Sequence, residues 1–296
     1  MFPYSTDDKI HDAHDTTGSK TIVRATIESN EYLWEPFSDR YEGIYTIQRN
    51  MYKNVAGNKL IFEEINETLG IQFNYGWFNS DEYGIVRKVW VRNNADQTVG
   101  INILDGIQNL LPFGVLQNMQ SNLSTLVDAY KKNELDVETG LGLYMLSSII
   151  VDRAEPSEAL TCNSVWSLGL EGAKKLLCSK QVSAFRKGIS LKEESDVRAE
   201  RGAYFLNKNL TLNTGQQEES YMVAEVKQSA VDVAKLLDML RKQEGIQKKL
   251  EADIEKGTQK LTRLVGNADG LQVTADRTMT ARHYSNVLFN LSLIHI

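Results

Sequence analysis

Hydrophobic and polar residues alternate along most of the first 226 positions of the chain. The alternating runs are rich in β-branched and aromatic residues and recur at intervals of about a dozen residues, as is typical of antiparallel strands. They occupy residues 21–27, 43–49, 59–65, 71–77 and 84–91. Asn, Asp and Gly separate them. Regular short strands without helices between them predict two antiparallel sheets packed as a large sandwich over residues 20–226.

The middle of this region is less regular. Residues 105–114 are typical of a loop that leaves a strand, and residues 116–132 have a helical pattern. Strand patterns return at 141–151 and 159–169, and the segment 203–226 closes the region with two further strands. The prediction is therefore a mainly β domain with one short helical insertion.

The hydrophobic period changes at Lys227, where apolar residues begin to recur at helical spacing. These residues are Val231, Ala234, Leu237, Leu240, Leu250, Ile254, Leu261 and Leu264. Gly245 and Gly257 interrupt the run, which favours short helices over one long rod. We expect linker helices over 227–265, with an apolar face that is partly uncovered. Residues 266–290 are interpreted as the start of another, truncated domain.

The two ends of the sequence lack the strand and helix patterns of the rest of the chain. Residues 1–19 are polar and without hydrophobic period, which predicts a tail. His11 and His14 lie in it, but two histidines without a third fixed ligand are typical of a solvated segment, so no metal is assigned. Residues 291–296, LSLIHI, read like a translated sequencing adapter, so the chain is expected to be truncated after Asn290.

Composition narrows the classes of function. The 296 residues are 42% hydrophobic and 24% charged, close to globular averages, which indicates a folded protein. A net charge of -6 and the lack of a basic stripe exclude nucleic acid as the expected partner. Cys162 and Cys178 are too few for a disulfide scaffold. No apolar run approaches the ~20 residues that span a bilayer, so no membrane partner is expected, and the missing leader pattern favours the cytoplasm.

Three segments resemble the N-terminal region of large bacterial carbohydrate-active proteins of the cellobiose phosphorylase type. They are residues 43–47, 83–105 and 210–218. In that family a two-sheet supersandwich, similar to that of galactose mutarotases, precedes linker helices and an (α/α)6 barrel that carries the catalytic carboxylate. This sequence departs from the family pattern at Thr214, where a proline is usual.

The resemblance implies a non-catalytic fragment of a glycoside phosphorylase or hydrolase, which shapes the substrate entrance and forms subunit contacts, including those of a homodimer. Its partners would be an oligosaccharide and the missing helical barrel, and no cofactor is implied. A stand-alone carbohydrate-binding or scaffolding module is the alternative. A complete sugar-acting enzyme similar to aldose epimerases is disfavoured, because such enzymes use a histidine and a carboxylate and residues 20–226 contain no histidine.

Some residues are predicted to contact carbohydrate, and none is assigned a catalytic role. They are Trp34, Asp39, Asp105, Gln108, Asn109, Arg282 and His283. The first two belong to an aromatic and acidic loop, the next three follow a strand, and the last two begin the truncated domain. The competing interpretations are a core tryptophan and a turn held by side-chain hydrogen bonds at 105–109. Adjacent glutamates such as Glu63 and Glu64 point to opposite faces of a strand, so they form no catalytic pair.

Overall fold

The computed structural model describes residues 15–150, 160–242 and 245–293. Within these ranges the chain is mainly β, with two antiparallel sheets and most of its helical residues near the C-terminal end, which confirms the predicted fold class. Residues 1–14 of the predicted tail, with both of its histidines, and residues 294–296 of the adapter-like end lie outside the described part of the chain.

The strands are β1 (Gly18–Ile27), β2 (Asn30–Trp34), β3 (Ile47–Lys53), β4 (Leu60–Asn66), β5 (Ile71–Ser80), β6 (Gly84–Asn93), β7 (Val99–Leu110), β8 (Lys131–Asp136), β9 (Leu141–Leu146), β10 (Thr161–Leu168), β11 (Lys174–Cys178), β12 (Asp196–Arg198), β13 (Gly202–Leu212) and β14 (Gln217–Ser229). The α-helices are α1 (Gln117–Asn122), α2 (Ser124–Tyr130), α3 (Val182–Arg186), α4 (Ala230–Lys242), α5 (Ile246–Asp269) and α6 (Arg277–Leu293).

Two sheets of unequal size face each other. Among the described residues, the smaller sheet has the order β11-β13-β7-β1-β2, and the larger has the order β12-β8-β9-β10-β14-β6-β5-β4-β3. The core between them takes Val23 and Trp34 from the smaller sheet and Phe73 and Val91 from the larger. The alternation seen in the sequence has this physical basis, because every second residue of an inner strand points into the core.

The linker helices cover the outer face of the larger sheet. Leu240 on α4 and Leu250 and Ile254 on α5 are buried against sheet residues that include Trp166 and Val223. The expectation that these helices leave their apolar faces uncovered is therefore wrong for these three side chains. The outer face of the larger sheet is itself apolar there, so it supplies the partner surface that the sequence pattern alone could not reveal.

Local boundaries differ from the sequence predictions at the helical insertion and at the start of the linker helices. The helix predicted over 116–132 is two short helices, α1 and α2, which meet at Leu123. The linker helices begin at Ala230 instead of Lys227, because β14 continues to Ser229.

Cys162 and Cys178 are free and buried. No helix in the described ranges combines the length and the apolarity needed to cross a bilayer.

The chain crosses from one sheet to the other at a double corner, where β6 leads to β7 beside the turn from β13 to β14. Asn93 lies at this corner with no exposed surface. Its side-chain amide donates to the carbonyl oxygens of Gln97, at 2.7 Å, and Leu212, at 2.9 Å, and its Oδ1 accepts from the backbone of Ala95. Two of the segments that resemble the phosphorylase family, 83–105 and 210–218, thus meet at one residue.

We expect Asn93→Ala to lower the free energy of unfolding by about 2–4 kcal/mol, because it leaves buried carbonyl groups without donors. Urea denaturation followed by circular dichroism measures the change. Asn94→Ala is the matched control: Asn94 is exposed and its amide donates to the side chain of Gln72, so the expected loss is below about 0.5 kcal/mol. Equal losses in the two variants would show that the corner does not depend on Asn93.

Candidate functional site

A pocket with a volume of about 300 Å³ opens where β2 ends, beside the edge hairpin β3–β4 of the larger sheet. We call it the β2–β4 pocket. It is lined by Trp34, Glu35, Ser38, Asp39, Tyr41, Glu42, Gly43, Tyr45, Ile47, Arg49 and Glu64. The lining combines aromatic rings, carboxylates and one guanidinium, and most of it comes from the loop between β2 and β3.

Trp34 and Glu64 form the floor of the β2–β4 pocket, and both are about 1% exposed. Trp34 Nε1 donates to Glu64 Oε1 at 2.9 Å, which gives the buried indole N–H its partner. Glu64 Oε2 accepts from the backbone of Phe37, at 2.8 Å, and from Arg49 Nε, at 2.7 Å. One buried carboxylate therefore ties β2, the loop and β3 together.

The loop above this floor is held in a strained conformation. Phe37 has a φ of +61°, which is uncommon for a residue with a bulky side chain. Its ring packs edge-on against Tyr75, with centroids 5.2 Å apart, and its N–H bonds Glu64. Strain of this kind persists only where the surroundings fix it, and it is frequent at ligand sites.

A second buried carboxylate, Glu35, anchors the start of the loop. Arg186 binds it through two nitrogens, at 2.6 and 2.8 Å. Arg40 and Lys20 approach it to 3.5 and 3.7 Å. The bidentate pair connects the loop to α3 on the smaller sheet. The cations are matched to a buried anion, so this carboxylate has a structural role.

The mouth of the β2–β4 pocket carries its accessible groups. The rings of Tyr41 and Tyr45 lie 6.4 Å apart at 46°, and both residues are half-buried. Burial, and next the Glu35 carboxylate, raises the pKa of Tyr41, while burial raises the pKa of Tyr45. Both hydroxyls therefore stay protonated at neutral pH. The Asp39 side chain is 89% exposed and lies 3.9 Å from the Arg49 guanidinium.

This arrangement suits a neutral ligand rich in hydroxyl groups. Half-buried tyrosine rings offer flat apolar surface, and the exposed Asp39 carboxylate and the Arg49 guanidinium offer an acceptor and donors at the same mouth. The buried carboxylates below are already occupied by protein donors. The pocket can therefore bind and orient a ligand, and its free groups lie at the mouth.

The predicted residues at 105–109 lie elsewhere, on β7 of the smaller sheet. Asp105 is fully buried and pairs with Arg87 of the larger sheet. Gln108 accepts from Ser179 at 3.1 Å, and Asn109 Nδ2 donates to Thr17 at 3.3 Å. These positions continue strand β7 to Leu110 and bond residues distant in sequence, so the loop predicted to start at 105 and the competing turn at 105–109 are both wrong. Carbohydrate contact by this group stays a prediction.

The last two predicted residues lie on α6. Arg282 is exposed, and a ring nitrogen of His283 lies 2.9 Å from the carbonyl oxygen of Gly270, at the end of α5. Neither lines the β2–β4 pocket. Of the predicted set, the structure thus brings only Trp34 and Asp39 together in one cavity, and a carbohydrate role of the α6 pair stays a prediction.

The residues predicted to contact carbohydrate did not include Glu64, Arg49 or the two tyrosines of this pocket. Glu64 stands in a strand beside Glu63, and nothing in its neighbourhood marks it as buried. The segment around Tyr41 and Tyr45 offered a signal, since two aromatics flank Gly43 in a loop next to the Trp34 segment.

Comparisons with known proteins yield only distant structural likeness. A scan against protein-family models finds no match, and no curated protein matches the sequence. Among solved structures, a bacterial glucoamylase complexed with acarbose is 11% identical, with 87% of this chain and 34% of that chain covered and a TM-score of 0.45. A protein described as a kojibiose phosphorylase from the human microbiome is 11% identical, with 90% and 30% covered and a TM-score of 0.45.

A heparan sulfate lyase from Pedobacter heparinus is also 11% identical, with 77% of this chain and 28% of that chain covered and a TM-score of 0.31. These structural neighbours are carbohydrate-active enzymes. The chain spans about a third of the length of the glucoamylase and the phosphorylase.

Proposed function

We propose that this chain is the non-catalytic N-terminal part of a carbohydrate-active enzyme, a glycoside phosphorylase or hydrolase, and that the β2–β4 pocket binds oligosaccharide at its substrate entrance. The observation that carries the proposal is the pocket mouth, where the neighbouring rings of Tyr41 and Tyr45 line the same cavity as the exposed Asp39 carboxylate and the Arg49 guanidinium. The order of sandwich and linker helices, which the three family-like segments imply, supports it.

The chemistry of the pocket supports a binding role over a catalytic one. Hydrolysis of a glycosidic bond needs two carboxyl groups that face the sugar, one of which gives up a proton. Glu35 is held by Arg186, and Glu64 by Trp34, Phe37 and Arg49. Their oxygens are directed to protein donors, so the carboxylates that remain for a ligand are the exposed ones at the mouth.

Tyr41→Ala tests the proposal, because Tyr41 lines the mouth and belongs to none of the core clusters. We expect the variant to bind neutral tetrasaccharides about tenfold more weakly, since an aromatic contact residue contributes more than about 1 kcal/mol. Isothermal titration calorimetry with maltotetraose and cellotetraose measures the affinity of the full chain.

Tyr52→Ala is the matched control, since Tyr52 lies on β3 but outside the pocket lining and is 50% exposed. Its affinity should equal that of the unmodified chain. Lack of binding by the unmodified chain at millimolar sugar, or equal losses in both variants, would refute the assignment of the pocket.

A stand-alone carbohydrate-binding module is the second candidate. It is favoured by one observation, that every residue lining the pocket belongs to residues 34–64 of the sandwich, so binding needs no other domain. Sequencing the genomic reading frame across the codon of Asn290 separates the two. Several hundred further codons with paired helices support the enzyme fragment, and a stop codon there supports the module.

A further inference from the structure

A second cavity lies on the outer face of the smaller sheet, on the other side of that sheet from the sandwich core. Its volume is about 440 Å³, and its floor is a row of polar side chains across three neighbouring strands. Arg24 on β1 pairs in register with Asn102 on β7, which pairs in register with Asn209 on β13. With strands about 4.8 Å apart, the row is about 10 Å long. We call this cavity the asparagine groove.

The amides of the asparagine groove are arranged to meet hydroxyl groups. Asn207 Nδ2 donates to Asn102 Oδ1, at 2.7 Å, and to the carbonyl oxygen of Ile103, at 3.0 Å. The Asn102 amide is thereby oriented with its N–H groups free of described partners. Asn209 is exposed, and its side chain has no hydrogen bond within the described part of the chain. An amide is both donor and acceptor, as is a sugar hydroxyl.

The charged residues that line the asparagine groove are all cations: Arg24, Lys174 and Lys208. Lys174 Nζ donates to the carbonyl oxygen of Leu191 at 2.8 Å, and Lys208 Nζ donates to that of Glu171 at 2.5 Å. The Lys174 ammonium has three N–H donors, so it keeps donors for a ligand. Lys208 pairs in register with the core residue Ile103, so its side chain leaves β13 on the face opposite Asn207 and Asn209.

Within the described residues, the only carboxylate that forms an ion pair with any of these three cations is that of Glu31, which contacts Arg24. In a chain of net charge -6, a cavity whose described lining contains cations and no acid is a local site of positive potential, which attracts anions.

One wall of the groove is held in place by Arg24. Its Nη1 lies 3.5 Å from the carbonyl oxygen of Phe185 and 3.4 Å from that of Arg186, at the C-terminal end of α3. The next turn contains Gly188 with a φ of +76°, and a Cβ there would lie 2.7 Å from the guanidinium. Ile189, which is 56% exposed, adds an apolar rim. The groove is therefore preformed.

We infer that the asparagine groove binds a saccharide that carries an anionic group, either a carboxylate as in a uronic acid or a sulfate ester. The anion pairs with Lys174, the ring hydroxyls bond the asparagine amides, and the C–H face of the ring lies against Ile189. This site is separate from the β2–β4 pocket, and the inference does not depend on the function proposed for that pocket.

Calorimetry of the full chain with four probes tests the inference: tetragalacturonate, a sulfated carrageenan tetrasaccharide, maltotetraose and inorganic sulfate. We expect at least one acidic tetrasaccharide to bind about tenfold or more tightly than both maltotetraose and sulfate, since a charge-assisted hydrogen bond adds about that much. Tight binding of tetragalacturonate identifies a carboxylate as the anionic group that the groove recognises. Tight binding of the carrageenan fragment identifies a sulfate ester instead. Equal affinity for all four probes, or for sulfate and the acidic sugars, overturns the inference.

Variants locate the binding. Lys174→Gln should weaken binding of the acidic tetrasaccharide about tenfold or more, and Asn209→Ala should weaken it about threefold through the lost hydrogen bonds. Lys242→Gln removes the same charge from an exposed position on α4 and should leave the affinity unchanged. An equal loss in the two lysine variants shows a general charge effect and overturns the site. Tyr41→Ala should not affect this binding, which separates the groove from the β2–β4 pocket.

Discussion

Arg87→Met should lower the free energy of unfolding by about 3–5 kcal/mol, because it leaves a carboxylate unpaired in the core. Arg87 on the larger sheet and Asp105 on the smaller are both fully buried. Two parallel contacts join them between the sheets, Nη1 to Oδ2 at 2.6 Å and Nη2 to Oδ1 at 2.8 Å. Thr21 also donates to Asp105, at 2.6 Å. Denaturation of each variant with guanidinium chloride measures the free energy of unfolding.

A triple variant, Thr21→Val/Arg87→Met/Asp105→Leu, provides the control. It removes the charges and the hydroxyl together, so no buried polar side chain of the triad is left alone. We expect it to lie within about 2 kcal/mol of the unmodified chain, because a packed apolar cluster replaces a buried ion pair at little cost. If the triple variant is as unstable as Arg87→Met, the ion pair of Arg87 and Asp105 makes a net contribution to stability. That result would contradict the explanation in which the two charges mainly compensate each other's burial.

Trp34→Ala should also lower the free energy of unfolding by about 3–5 kcal/mol, which is the range for truncation of a buried tryptophan to alanine. The indole is 1% exposed and packs in the core between the sheets, with residues that include Phe73. Its loss also leaves Glu64 without the Nε1 donor. Thermal and chemical unfolding measure the cost. The substitution therefore reports on folding, and a fall in sugar affinity in this variant would not locate a binding site.

Trp90→Ala is the comparison for Trp34→Ala. Trp90 lies on β6 and is only half-buried, so its removal should cost about 1–2 kcal/mol. Similar costs for the two tryptophans would contradict the core position of Trp34. The test is therefore whether Trp34→Ala lowers the free energy of unfolding more than Trp90→Ala does.

The fold class followed from the sequence because burial and strand period are local signals. The runs at 71–77 and 84–91 reappear within β5 and β6, since each alternates between a core face and an outer face. The start of the linker helices was missed by three residues, as β14 continues past Lys227, which has a φ of +60°. A backbone conformation of that kind leaves no trace in hydrophobic period.

The site was less accessible to prediction because its contacts are distant in sequence. Trp34 and Asp39 stand in one segment, so an aromatic and acidic loop could be recognised. Glu64, 30 residues after Trp34, reaches it only because β4 of the larger sheet packs against β2 of the smaller sheet. Asp105 was proposed as a ligand contact because it is polar, but its partner Arg87 faces it from the other sheet. Pairing across a sandwich depends on topology, which single-sequence patterns do not encode.

The apolar faces of the linker helices illustrate the same point. Leu250 repeats at helical spacing with Ile254, which correctly indicates a one-sided helix. The sequence could not show that the outer face of the larger sheet, with Val223 and Trp166, is apolar where α5 crosses it. The helices consequently extend the core of the sandwich.

The central claim is that the β2–β4 pocket binds a saccharide, and a nitrogen–proton correlation NMR titration with maltotetraose and cellotetraose tests it most directly. The claim predicts that one of the two sugars shifts the backbone amides of Asp39, Tyr41 and Arg49 in a saturable way, and that Tyr41→Ala abolishes these shifts. Shifts confined to residues outside the pocket lining, or no shift with either sugar at millimolar concentration, would contradict it.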